Sequence, residues 1–153
     1  MIGAYGDAIS LGTSGGGFPA LRFAKQSGLR RGLSFGGRQI DDTLGLMRGQ
    51  AAPPAFDPLC ACDRRTGTEA ALIYAALNAH DSAAARCAAV AANSHLIPLA
   101  DRVDHGVLWA LQRMGQLPAL LDLAFDASMD GLRDALTLWN AQNPPQTQRS
   151  PRA

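Results

Sequence analysis

The chain has 153 residues, 47% of them hydrophobic and 18% charged, with a formal net charge of +1. That is the length of one ordinary domain, long enough to bury roughly two-thirds of the surface its unfolded form exposes, and the apolar content excludes a disordered composition. No uninterrupted apolar run approaches the ~20 residues of a bilayer span, and Met1–Ser10 lacks the basic and apolar stretches of a secretory signal, so the expectation is a soluble, cytoplasmic protein with no membrane partner.

Residues 1–49 hold 12 of the 16 glycines, which predicts short elements only. Ala8–Leu11 reads as a short strand, Thr13–Gly17 as a turn, and Pro19 stands in the first turn of a helix that Gly28 closes. Leu29–Gly37 reads as a loop. Gln39–Arg48, with Ile40, Leu44 and Met47 on one face, reads as a second short helix. Pro53, Pro54 and Pro58 mark residues 50–65 as a linker.

From residue 66 the spacing predicts helices. Thr66 and Glu69 fit a capping box for a helix to about Ala79, with Leu72, Ile73, Ala76 and Leu77 inward. Asp81 or Ser82 caps a second, alanine-rich helix to Asn93, in which seven of the ten residues from Ala83 to Ala92 are alanine. A third covers about Leu99–Met114, with Val103, Val107, Leu111 and Met114 in a stripe and Gly115 as its stop. Pro118 starts a fourth and Ser128 caps a fifth, along which Met129, Leu132, Leu136 and Trp139 recur. Asn143-Pro144-Pro145 ends it. The expected fold class is therefore mostly α: a compact antiparallel bundle of about five helices over residues 66–141, behind a Gly-rich basic segment (1–49) and ahead of a disordered tail (142–153).

The most specific string is Gly12-Thr13-Ser14-Gly15-Gly16, a G-x-S-x-G elbow between a candidate strand and a candidate helix. Small residues there let a tight turn present the Ser14 hydroxyl beside free backbone N–H groups. Asp101 or Asp104 with His105 would complete the order Ser, Asp, His. Such an elbow tops a parallel sheet, however, and with one strand foreseen the turn reads as an ordinary glycine turn and Ser14 as dispensable. Asp101 and His105, one turn apart on the third helix, read as a solvated pair.

Cys60-Ala61-Cys62 is too short a spacing for a zinc knuckle, and only His80 and Cys87 stand by to complete a set, so neither metal nor cofactor is expected and the three thiols are expected reduced. His80 and His95 read as helix-end residues. Arg22, Lys25, Arg30, Arg31 and Arg38, with Phe35 among them, form a basic cluster facing a body (50–141) of six basic and ten acidic residues. It would grip phosphates if the partner is nucleic acid, or carboxylates of this chain or another. Trp109 and Trp139 are the aromatic candidates for a contact surface. With no complete catalytic set, the leading expectation is a non-enzymatic adaptor, inhibitor or regulatory module that binds another protein or a second copy of itself. Nucleic-acid binding ranks second and a small serine hydrolase using Ser14 third.

Overall fold

In the computed structural model, which describes residues 7–38, 67–89 and 93–144, four strands form one sheet. They are β1 (Ile9–Thr13), β2 (Arg31–Phe35), β3 (Glu69–Ala75) and β4 (Ser94–Leu99). Every pairing is parallel and the spatial order is the chain order. Register is continuous across the sheet: Leu33 lies beside Leu11 and Ala71, and Ile73 beside Phe35 and Ile97.

Among the described residues, five α-helices cover the two faces. On one face Ala70, Leu72 and Tyr74 pack against Phe18 and Leu21 of α1 (Gly17–Gln26) and against Ala84, Ala85 and Ala88 of α2 (Ala79–Ala88). On the other, Leu33, Phe35, Ile73, Ile97 and Leu99 meet Val107 and Leu111 of α3 (Val107–Arg113), Leu120 and Ala124 of α4 (Leu117–Asp126), and Leu132, Leu136 and Trp139 of α5 (Met129–Gln142). The molecule is an α/β fold in three layers, which overturns the mostly α bundle.

The physical cause of that error is the double coverage of the sheet. A strand covered on both faces has no polar side to expose, so it loses the alternation that marks a half-buried strand. Glu69-Ala-Ala-Leu-Ile-Tyr-Ala75 is buried from its second residue onward, and its alanines and leucine imitate a helix. The stretch expected as one helix from Leu99 to Met114 is the end of β4, a connection over 100–106, and α3. Val103 and Met114 of its supposed inner stripe are exposed, while Val107 and Leu111 are buried. Leu29–Gly37, expected as loop, contains β2.

Other signals act as the chemistry predicts. Pro19 sits in the first turn of α1, where its missing N–H has no helical partner to lose. Gly28, in the left-handed conformation, turns the chain so that Leu29 N–H returns to Ala24 O at 2.9 Å. Ser128 caps α5 by accepting from Gly131 N–H at 3.1 Å. Asn78, not Asp81 or Ser82, caps α2, accepting from Asp81 N–H at 3.1 Å. The expected helix over 39–48, the linker over 50–65, Cys60, Cys62 and the tail from 145 onward lie outside the described residues.

Two buried arginines tie layers together. Arg31 on β2 reaches Glu69, its register partner on β3, and donates from Nη1 to Ala124 O at 2.6 Å, satisfying a carbonyl of the last turn of α4. Arg102 donates to Asn140 Oδ1 and to Asn143 O at 2.6 Å and lies 4.6 Å above the Trp139 ring, fastening the 100–106 connection to the end of α5. Burial pushes the Arg102 guanidinium below its ordinary value, and Asp104 opposes that shift.

Candidate active site

In a parallel sheet all strands end on the same side, and the polar residues that follow them share one edge. Among the described residues, those that concern the chemistry are Ser14 after β1, Arg38 after β2, Asp81 after β3 and His105 after β4.

Ser14 begins a single 3-10 turn, Ser14–Gly16, that runs straight into α1. Its φ is 50°, in the left-handed region that costs a non-glycine residue on the order of 1 kcal/mol or more. The turn can be this sharp because Gly12 has no side chain: a Cβ there would stand 2.1 Å from Gly16 O and 2.9 Å from the Ala20 methyl. The Ser14 carbonyl accepts from Gly17 N–H and, at 2.9 Å, from Arg38 N–H. Thr13 Oγ1 donates to Phe35 O at 3.1 Å, so the ends of β1 and β2 are tied on both sides of the turn. The G-x-S-x-G string therefore stands at the top of a parallel sheet, the context whose expected absence had counted against it.

Asp81 lies in the first turn of α2, where the free N–H groups and the helix dipole favour a carboxylate. Its side chain is fully buried, and both oxygens stand 2.9 Å from His105 Nδ1. A carboxylate facing Nδ1 fixes the proton of the neutral ring there and leaves the lone pair on Nε2. Nε2 is itself buried and has no hydrogen-bond partner. Gly36 makes the pair possible. With φ at 53°, it carries the chain past the ring so closely that a Cβ would lie 2.8 Å from Nδ1 and 3.2 Å from Asp81 Oδ2. Arg38 closes the other side of the carboxylate, donating to Oδ1 from Nε at 3.0 Å and from Nη2 at 2.7 Å.

The carboxylate on His105 is thus Asp81 and not Asp101. Because residues 100–106 are not helical, Asp101 and His105 share no helix face. Asp101 is exposed with a φ of 60°, and Asp104 accepts from Gly106 N–H at 2.9 Å. Helix spacing makes Asp81 a cap candidate, whereas the polar N-A-H-D stretch directly after the run L-I-Y-A-A-L is the signal for a residue at a strand's end.

The remaining candidates are scattered. Arg30 pairs with Asp7 and donates to Phe125 O, Arg31 and Lys25 are buried, Arg22 is half-buried on α1, and Phe35 is in the core. Trp139 is buried beneath Arg102, whereas Trp109 is exposed on α3 with the Arg113 guanidinium 5.4 Å from its ring. His80 lies in the first turn of α2 and Cys87 is exposed on the same helix, while His95, expected at a helix end, is in β4. Among the described residues no group of three or more metal-binding side chains occurs, and no helix is long and apolar enough to cross a membrane. Compared with known proteins, the chain matches no family model, no curated protein and no solved structure.

Proposed function

We propose that the protein is a serine hydrolase acting on acyl substrates, with Ser14 as nucleophile, His105 as general base and Asp81 as the carboxylate that orients it. The observation that carries this reading is the left-handed Ser14 on a strand–turn–helix, on the same sheet edge as an imidazole held by a buried carboxylate with its Nε2 unpartnered. A strained turn of this kind on an α/β sheet is a known way to present a nucleophile. The inference runs from the observed outlier to function.

The chemistry follows from the groups present. His105 Nε2 takes the proton of Ser14 Oγ as the oxygen attacks the substrate carbonyl. Nε2 is buried without a partner, so the step requires the Ser14 hydroxyl to meet it once substrate is bound, as in enzymes whose catalytic hydrogen bonds tighten only in the complex. Negative charge develops on the former carbonyl oxygen, where the Gly15 N–H, next after the nucleophile in the 3-10 turn that precedes α1, is a donor. The imidazolium then protonates the leaving group, and water repeats the sequence to release the acid. Asp81 keeps the ring in the required tautomer and offsets its positive charge.

The test is hydrolysis of p-nitrophenyl acetate together with labelling by a fluorophosphonate. Ser14→Ala should abolish labelling and lower turnover by roughly 10³-fold or more while the protein remains folded. Absence of label on Ser14 in folded wild-type protein would overturn the reading.

A second reading, contact with another protein or a second copy through α3, is favoured by one observation, the 65% exposure of Trp109. Trp109→Ala would then change the sedimentation coefficient of the assembly and leave esterase turnover intact.

A further inference from the structure

We infer that Arg38 is a positioning residue of this site, one side chain and one amide that hold the orienting carboxylate and the nucleophile turn in fixed relation. The inference rests on the Ser14–Asp81–His105 reading and extends it to a fourth strand end. Its basis is that Arg38 touches both halves of the proposed machinery. The main-chain N–H donates to the carbonyl of Ser14 at 2.9 Å, and the guanidinium donates twice to Asp81 Oδ1, at 3.0 and 2.7 Å.

The buried carboxylate needs such a partner. Asp81 is 0% exposed, and a neutral imidazole alone supplies no countercharge to a carboxylate removed from water. Arg38 supplies it, with its own side chain only 13% exposed, so the interaction is weakly screened. The division of labour between the two oxygens matters as well. Oδ1 receives Nε and Nη2 of Arg38 together with one contact from His105, while Oδ2 faces His105. Two donors from a rigid planar fork onto one oxygen fix the rotation of the carboxyl group, and the imidazole plane follows it. A flexible ammonium delivers the charge without that fixed direction.

The experiment measures p-nitrophenyl acetate hydrolysis by full-length Arg38→Met and Arg38→Lys, each alone and with Asp81→Asn. Methionine keeps most of the apolar stem and removes the charge. Arg38→Met should lower kcat by about 10- to 100-fold and leave KM within about threefold, and Arg38→Lys should recover part of the loss. In the Asp81→Asn background the same replacement should cost almost nothing further, because the group through which Arg38 acts is gone. A purely structural role predicts instead a similar fractional loss in both backgrounds. Should Arg38→Met not fold, the lysine variant in the two backgrounds carries the same comparison. Wild-type turnover with an Arg38→Met rate equal to it, or losses that multiply with Asp81→Asn, overturns this inference alone. Absence of Ser14-dependent hydrolysis in the wild type overturns it together with the parent reading.

Discussion

The two ends of the sheet each hold an arginine–carboxylate pair, with the arginine buried at one end and the carboxylate at the other, and they differ in what is left over. At the N-terminal end, Arg31 reaches Glu69 and the carbonyls of Ala124 and Ala127, so its donors are matched by acceptors from β3 and the end of α4. At the C-terminal end, Arg38 holds Asp81 and Asp81 holds His105, whose Nε2 is buried without a partner. Both ends obey the rule that a buried charge must be paired. Only at the second does the pair hold a further group, the His105 ring, and Ser14, with its left-handed backbone, follows a strand on that same sheet edge. Charge burial alone does not set the two ends apart. The imidazole fixed on the buried carboxylate does.

The comparison can be broken by exchanging the expected consequences of the two ends. Asp81→Asn should lower kcat by about 10³-fold or more while Asp101→Asn leaves it within twofold, measured on the same ester. Equal losses would mean that Asp81 has no special part in turnover. Arg31→Met, at the other end, should leave turnover per folded molecule unchanged but cost about 2–3 kcal/mol in urea unfolding, since it strands carbonyls and leaves Glu69, a third exposed, without its cation. A fall in kcat there would mean that the two ends are coupled through the sheet. Gly36→Ala tests the close approach, because it adds a methyl against His105 and puts a side chain at a φ of 53°. Its unfolding free energy should drop by about 1–2 kcal/mol and its turnover by about tenfold. The smallest effect belongs to the cap of the helix that carries the carboxylate: Asn78→Ala should cost about 1 kcal/mol, read by thermal melting, and change kcat less than threefold.

What could be read in advance followed from local chemistry. Pro19, Gly28, Pro118 and Ser128 each act within a few residues of themselves, and they marked α1, α4 and α5 correctly. The glycine-flanked turn at Ser14 was visible for the same reason. What stayed hidden depends on packing across the sheet. Gly32 and Ser34 made β2 look like a loop, yet Gly32 is where α1 comes close, with a Cβ there only 3.0 Å from the Ala24 methyl. His105 was visible as a residue, but Asp101 at helical spacing competed for it, and its partner stands 24 positions away in the chain. Arg38 carried the opposite error: its charge joined it to Arg30 and Arg31 in a cluster that the fold separates among Asp7, Glu69 and Asp81.

The sequential strand order has a consequence for how the protein acquires this site in time. β1 pairs with β2 across a short helix, and β3 with β4 likewise, but β2 meets β3 only after closing the 33 residues between Phe35 and Glu69. That closure costs about 3 kcal/mol of chain entropy by the logarithmic rule before its contacts form, which makes it the natural slow step of refolding. Ser14 and Arg38 lie on one side of the seam, Asp81 and His105 on the other. Recovery of Ser14-dependent turnover after dilution from denaturant should therefore lag behind recovery of helical circular dichroism, timing the moment at which the seam closes.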